Sequence, residues 1–383
     1  MSRNKNENGG ILLLNLGSIC SKMKVLLHGD SPFEWQVALS FYRRSASKGY
    51  FYACSSLSST TGIIYILFKI RIKPDLGGRG IMLSNIIDML DYIKKQLPWL
   101  EIQEYDINNE GWDNAVLIIN KEWIFRFPRS EDTAQHLLNE KLLLDFLQTE
   151  ISYLSIKLPK YRLIFKDNRP ICCYYSLING VPLSPSILYE LDDQTQNQIA
   201  FQISSFLTML HKVDLEEIHS IELKDNQGYT YWKEHWENIK KLVYPYLTEQ
   251  ECQKITNMFE SFLNQISINP LPKTIIHGDL THKHILFDIN KKQISGIIDF
   301  GDIQLGDPAY DLSGLYWDYG EQFFNKILNY YSYPFKDLNY PIDKRVTSFY
   351  GKRLIFHDLL YAIEKKSVKD FNNGLKLLKQ SLV

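Results

Sequence analysis

Two carboxylates, each set just beyond a short apolar run, are the residues of this chain best placed to do chemistry. The run Thr274–Ile276 leads into His277-Gly278-Asp279, and a second run, Ile294–Ile298, delivers Asp299-Phe300-Gly301-Asp302. Two strand ends can fix such groups a few ångströms apart. Phosphoryl transfer needs that arrangement: one carboxylate beside the attacking hydroxyl, and separate groups to hold the metal that neutralises the phosphates. The other polar residues of the stretch have simpler readings. Asp307 precedes Pro308 and is expected to cap the helix starting there, and His282 is expected on the surface.

The surrounding pattern supplies elements to carry the pair. Ile86, Ile87, Leu90, Ile93 and Leu97 fall at helical spacing, and Pro98 ends the run. Strand-like runs follow at 101–107, 115–119 and 123–127, with turn residues Asn108-Asn109 and Asn120-Lys121 between them. A helix is predicted over 131–149, then strands at 161–165 and 171–177, which together make a small α+β lobe. Beyond Asn179-Gly180 the pattern turns helical, at 195–211, 231–241, 249–265 and 346–364. Ahead of residue 84 one strand stands out, 62–72. The stretch Pro74–Gly80 resembles the pyrophosphate loop of acetyl-CoA-dependent acetyltransferases, but a glycine-rich turn in a linker accounts for it better.

Composition restricts the partners. Hydrophobic residues make up 45% and charged residues 23% of the 383, as in globular chains, and no apolar run reaches the roughly 18 to 20 residues of a membrane span. Cys20, Cys54, Cys172, Cys173 and Cys252 form neither a Cys-x-x-Cys pair nor a zinc pattern, which predicts a reducing, cytoplasmic setting. The leader-like run Ile11–Cys20 is interrupted by Asn15. Residues 1–87 hold eleven Lys/Arg against four acids, so a net charge of −1 leaves the remainder acidic. An acidic body argues against a nucleic-acid substrate, which needs a basic face, and suits a cationic or neutral small molecule.

On the His277-Gly278-Asp279, His284 and Asp299 core the chain resembles the aminoglycoside phosphotransferase family and the similar macrolide 2'-phosphotransferases, over about residues 84–383. The resemblance implies an α+β, bilobal, protein-kinase-like fold: a β-rich N-lobe at 84–175, a hinge at 176–182 and a helical C-lobe at 183–383, behind an N-terminal extension, 1–83, of unassigned role. It implies that Asp279 is the catalytic base and that Asp299, with His284 in a position that is Asn in many kinases, holds Mg2+. His277 and Asp311 become braces of the catalytic loop. Arg126 stands where most kinases have the lysine that contacts the α- and β-phosphates, and Glu140 is its helix partner. The loop Asn108–Asn114 is expected to cover the phosphates. The hinge run from Tyr174 to Leu183 is similar to that of aminoglycoside 2''-phosphotransferases, which places Ser176 and Ile178 as backbone partners of the purine and Tyr175 as the gatekeeper behind it.

The implied activity is transfer of the γ-phosphate of GTP or ATP to a hydroxyl of an aminoglycoside, giving resistance, with GTP expected to serve at least as well as ATP. Carboxylates for a polycation are sought in the C-lobe at Glu234, Glu237, Asp318 and Glu321. The aromatics between Leu312 and Phe324 fit an apolar macrolide equally well, or core packing. A choline or amino-alcohol kinase is a third reading, and a catalytically inactive kinase fold used as a binding module is the rival outside enzymes. The expected partners are a nucleotide and a small antibiotic, with no nucleic acid and no membrane; the oligomeric state is left open.

Overall fold

The structure, a computed structural model, describes residues 85–383 apart from 109–112, 219–220, 226, 333–339 and 383, together with the backbone of three strands nearer the N-terminus. The leader-like run Ile11–Cys20, the Pro74–Gly80 loop and most of the Asn108–Asn114 loop lie outside the described residues. The chain divides into two compact units, 1–78 and 79–383. In the first, β1 (Gln36–Arg44), β2 (Tyr50–Ser59) and β3 (Gly62–Arg71) form an antiparallel sheet in that order. Only β3 was expected.

The second unit opens with α1 (Ile86–Gln96), whose N-terminus is capped by Asn85 through the Asp88 amide, 2.9 Å. Then come β4 (Tyr105–Asn108), β5 (Asn114–Ile119), β6 (Trp123–Pro128), α2 (Glu131–Glu150), β7 (Arg162–Lys166) and β8 (Arg169–Ser176). The strands make one antiparallel sheet in the order β4-β5-β6-β8-β7. Successive residues of a strand face opposite sides, and here both sides are covered. Phe125, Phe127, Leu117 and Ile119 cluster with Met89, Ile93 and Leu97 of α1. Ile124, Cys173 and Tyr175 cluster instead with Leu137, Leu143 and Leu147 of α2, in a core that continues into the helical lobe.

Two expectations differ from the sheet as built. Residues 101–104 are not strand, because the Asn120 side chain takes their backbone groups: its Oδ1 accepts from Gln103 N (2.9 Å) and its Nδ2 donates to Glu101 O (2.7 Å). In α1 the inward residue is Met89, while Ile87 is 68% exposed.

The hinge ends in β9 (Val181–Pro182), and beyond it lie α3 (Pro185–Glu190), α4 (Asp193–His211), α5 (Tyr229–Leu242) and α6 (Glu249–Ile268). Strand β10 (Thr274–Ile276) follows, then β11 (Ile285–Asp288), β12 (Gln293–Ile297) and β13 (Gln304–Gly306). The lobe closes with α7 (Ala309–Tyr330), α8 (Ile342–Arg345), a π-helical turn at Val346–Tyr350, α9 (Gly351–Glu364) and α10 (Val368–Ser381). A β-sheet N-terminal lobe and a helical C-terminal lobe are the expected α+β, bilobal architecture. Besides the hinge, the lobes are joined at Lys157, which donates to Ser295 O (3.0 Å) and accepts from Ile297 N (3.0 Å). Gly296 permits this approach: a Cβ there would lie 2.6 Å from Ile178 Cγ2 and 2.8 Å from Lys157 O. Among the described residues, no helix is long and apolar enough to cross a membrane.

Candidate active site

The site is set by two short antiparallel pairs, β10 with β13 and β11 with β12, whose ends bring the two expected carboxylates together. Asp279 follows β10 in a loop whose backbone is held from below. Asp311, near the start of α7, accepts from His277 N (2.8 Å) and Gly278 N (2.9 Å), and His211 of α4 holds the same carboxylate at 3.0 Å. His277 is fully buried; its Nε2 donates to Ile298 O (3.0 Å) and its Nδ1 accepts from Asp279 N (3.3 Å). A carbonyl can only accept, so the ring is the neutral tautomer protonated on Nε2, and burial pushes its basicity down. Both braces thus stand where the resemblance placed them.

Asp299 follows β12 with left-handed backbone, φ 64° and ψ 67°, a conformation that costs a non-glycine residue energy and turns the carboxylate out of line with the strand. His284 links the two acids. Its Nδ1 donates to the Asp279 carbonyl (2.6 Å), and its Nε2 lies 3.5 Å from Asp299 Oδ2. Nε2 faces that carboxylate, so the juxtaposition is favourable with a proton on the nitrogen or with a cation between the two groups. Among the described residues no three His, Cys, Asp or Glu side chains gather as a metal cage, so Asp299 and His284 suit only an ion that takes its other ligands from phosphate and water, as Mg2+ does, although Mg2+ generally prefers oxygen to imidazole nitrogen.

The electrostatics of the three acids diverge. Burial works against ionisation of Asp299, but the Arg126 guanidinium outweighs it and holds the carboxyl below its ordinary value. Asp279 is pushed up to about 6, chiefly by desolvation and then by Asp302 and Asp299 against the opposing pull of His284. Asp302 is raised as well, by burial and by the Asp299 and Asp113 charges. One acid kept ionised beside one made more basic is the division of labour expected of a metal ligand and a base.

Arg126 reaches this site from β6. It is 6% exposed, bonds Glu140 Oε2 of α2 at 3.2 Å, and places Nη2 3.5 Å from Asp299 Oδ1. The hydroxyl of Tyr161 closes the triangle, bonding both Arg126 and Glu140. Sequence reasoning missed Tyr161, because a lone tyrosine just before a strand carries no motif. Tyr175 is buried and stacks on it at 5.2 Å. Next along the chain, Leu177 N donates to Glu122 O (2.7 Å), continuing the β6–β8 ladder, so the alternating Ser176 and Ile178 backbone groups face away from β6.

Residues 105–337 match the model of a phosphotransferase enzyme family. The chain belongs to that family. It is a small-molecule kinase, and similar phosphotransferases have been solved with ligands. The GDP and kanamycin complex of APH(2")-IIIa is 27% identical, with a TM-score of 0.68 over 77% of this chain and 98% of that one. A GDP complex of wild-type aminoglycoside 2'-phosphotransferase-IIIa is 26% identical, TM-score 0.69, over 78% and 99%. A macrolide 2'-phosphotransferase type I, 16% identical with TM-score 0.57 over 76% and 96%, shares the fold. Viomycin phosphotransferase of Streptomyces vinaceus is 24% identical over 156 residues, 40% of this chain and about half (52%) of that protein.

The carboxylates sought for the acceptor have separate engagements in this phosphotransferase. Asp318 accepts from His282 N (2.7 Å) and pairs with its ring Nδ1 (2.9 Å), fastening the turn before His284. That pairing also takes His282 partly out of solvent. Glu237 is exposed and pairs with Lys240 at 2.6 Å, while Glu234 and Glu321 are exposed. Asp307 accepts from Ala309 N (3.1 Å) at the start of α7, and its other oxygen pairs with buried Arg345 Nε at 2.7 Å.

Proposed function

We propose that this kinase moves the γ-phosphate of GTP or ATP to a hydroxyl of an antibiotic, an aminoglycoside in the first reading, and that resistance is the consequence. The observation that carries the proposal is the pairing of Asp279 with Asp299 across His284, an acid raised toward neutrality beside one held ionised. Asp279 takes the proton of the attacking hydroxyl; with its affinity for protons raised to about 6 it is a better base than an ordinary aspartate and is still ionised at neutral pH. Asp299 and His284 would hold Mg2+, which when bound supplies positive charge against the phosphates. Arg126, aimed by Glu140 and Tyr161, presents a fixed cation to the α- and β-phosphates, and its planar fork suits phosphate oxygens. The Ser176 and Ile178 backbone meets the purine edge, with Tyr175 behind it. On the acceptor side Glu234, Glu237, Asp318 and Glu321 remain the candidate carboxylates.

A macrolide acceptor is the second reading. It is favoured by the engagement of Asp318 and Glu237 with other residues and by the cluster of aromatic rings Tyr231, Trp232 and Tyr310 in the helical lobe. The deciding assay follows labelled γ-phosphate from GTP or ATP, with Mg2+, onto a panel of aminoglycosides and macrolides, with the products resolved. Label on an aminoglycoside is expected; label on macrolides alone replaces the acceptor. No transfer to any antibiotic, with nucleotide nevertheless bound, would return the chain to the binding-module reading.

A further inference from the structure

Arginine keeps its charge at any ordinary pH, so a buried guanidinium needs acceptors. Two of the buried arginines have them, Arg126 in Glu140 and Arg345 in Asp307. Arg353 of α9 does not. It is 5% exposed, its Nε is buried without a hydrogen-bond partner, and no carboxylate among the described residues lies within ion-pair distance of it. What it has are ring faces: its Cζ sits 3.6 Å from the centroid of Tyr310 and 5.8 Å from that of Trp232. Ring faces offset only part of the cost of desolvating the ion. Two further buried nitrogens nearby lack partners, Trp232 Nε1 and His235 Nε2, the two rings being 5.9 Å apart.

The position of this cluster gives it a use. Tyr310, whose ring Arg353 covers, adjoins Asp311, whose carboxylate accepts from the His277 and Gly278 amides of the loop that carries Asp279. An unpaired guanidinium and an unpaired indole N–H on the C-lobe side of this loop are the complement of an oxygen-bearing ligand, and an ammonium group brought there would meet like charge.

The geometry points to Arg353 as the residue that grips the acceptor, binding one of its oxygens so that the neighbouring hydroxyl is turned toward Asp279. This rests on the phosphotransfer reading and adds to it: the molecule lays its oxygen face, not an amine, on the α9 wall.

Sulfate is a suitable probe for such a subsite. Thermal melts of the full chain in sodium sulfate against sodium chloride at matched ionic strength, without nucleotide or antibiotic, should show a saturable rise in Tm. R353K should weaken that response and R353M abolish it, while R353M, relieved of an unpaired charge, should melt no lower than the wild type. With an antibiotic that is phosphorylated, R353M should raise the acceptor KM about tenfold or more and leave the nucleotide KM unchanged, since a charge-assisted bond to the acceptor alone is lost. A wild type without the saturable response, an R353M that keeps it, or an unchanged acceptor KM overturns the assignment. Should R353M fail to fold, an R353K response equal to that of the wild type does the same. A sulfate response that depends on Arg353 in a chain that phosphorylates no antibiotic would uphold the oxygen subsite and remove the phosphotransfer reading instead.

Discussion

Asp279 and Arg126 have separable parts in the site, and each can be removed without deleting the other. Asp279→Ala should lower turnover by about a hundredfold or more, the usual scale for a general base, and leave nucleotide affinity nearly unchanged. Turnover close to wild type in the purified variant would rule out the assignment. Arg126 is a different case, because its loss strands Glu140, which is 3% exposed and already raised by burial. Arg126→Met should cost about 3–5 kcal/mol in urea unfolding, and the double variant with Glu140→Met appreciably less, since the second change removes the orphaned charge. Equal losses in the two would mean that the pair contributes nothing as a pair. Tyr175 is the residue that should decide the purine. It packs on Tyr161, and on the proposed reading it would narrow the back of the pocket and shift the base from the register in which the adenine amine meets the hinge. GTP should therefore be used at least as well as ATP, and Tyr175→Ala should improve kcat/KM for ATP selectively, because polar groups left unpaired on the wrong edge cost about 1–3 kcal/mol each. A wild type tenfold better with ATP, and unmoved by the substitution, would show that Tyr175 gates nothing.

The elements differ in how readily they could be read from the sequence. Helices α4 and α6 were plain from their apolar spacing, and Ser130 and Thr248 mark the starts of α2 and α6 by capping bonds. The two aspartates proposed as base and metal ligand were legible for a related reason: each sits shortly after an apolar strand, so local order in the sequence is local order in the site. What could not be read was pairing between distant segments. Tyr161 with Arg126, Asp318 with His282 and Arg345 with Asp307 are contacts of the folded chain, and nothing in the spacing of those residues announces them. Helix α10 was not read from the sequence although its amphipathic spacing is strong, and Gly374 lets it pack closely on α9, where a Cβ would meet Leu359 Cδ2 at 3.0 Å. The catalytic loop shows the same dependence on a small residue. Gly278 has φ +86°, and a Cβ there would lie 2.1 Å from Asp302 O, so backbone must move to admit one. Gly278→Ala should cost activity by displacing Asp279 and should also lower Tm, whereas Gly228→Ala, which meets nothing within 4 Å, should leave activity intact. Equal activity in both variants would mean that the loop does not need its tight seat against Asp302.

At the scale of the molecule, the unit at 79–383 carries a core on each face of its sheet, and this allows the extension to be tested by removal. The cluster that holds Met89, Ile93 and Leu97 against Phe125 and Phe127 begins with α1, just inside residue 84. A chain starting at Ser84 therefore keeps every layer of the sheet and should fold and retain phosphotransfer. A chain starting at Glu101 would lose α1 and bare that face. Each of those three side chains contributes about 1.5–3 kcal/mol when fully buried, so their joint removal takes away much of the 5–15 kcal/mol by which a domain is usually stable. The shorter chain should be insoluble or melt far below the longer one, while both still contain Asp279, Asp299 and the hinge. Circular dichroism melts and the labelled-phosphate assay on the two chains provide the comparison. If the chain from Ser84 is insoluble, or folds and transfers no phosphate where the full chain does, then residues 1–83 belong to the working enzyme and the boundary near 84 is misplaced.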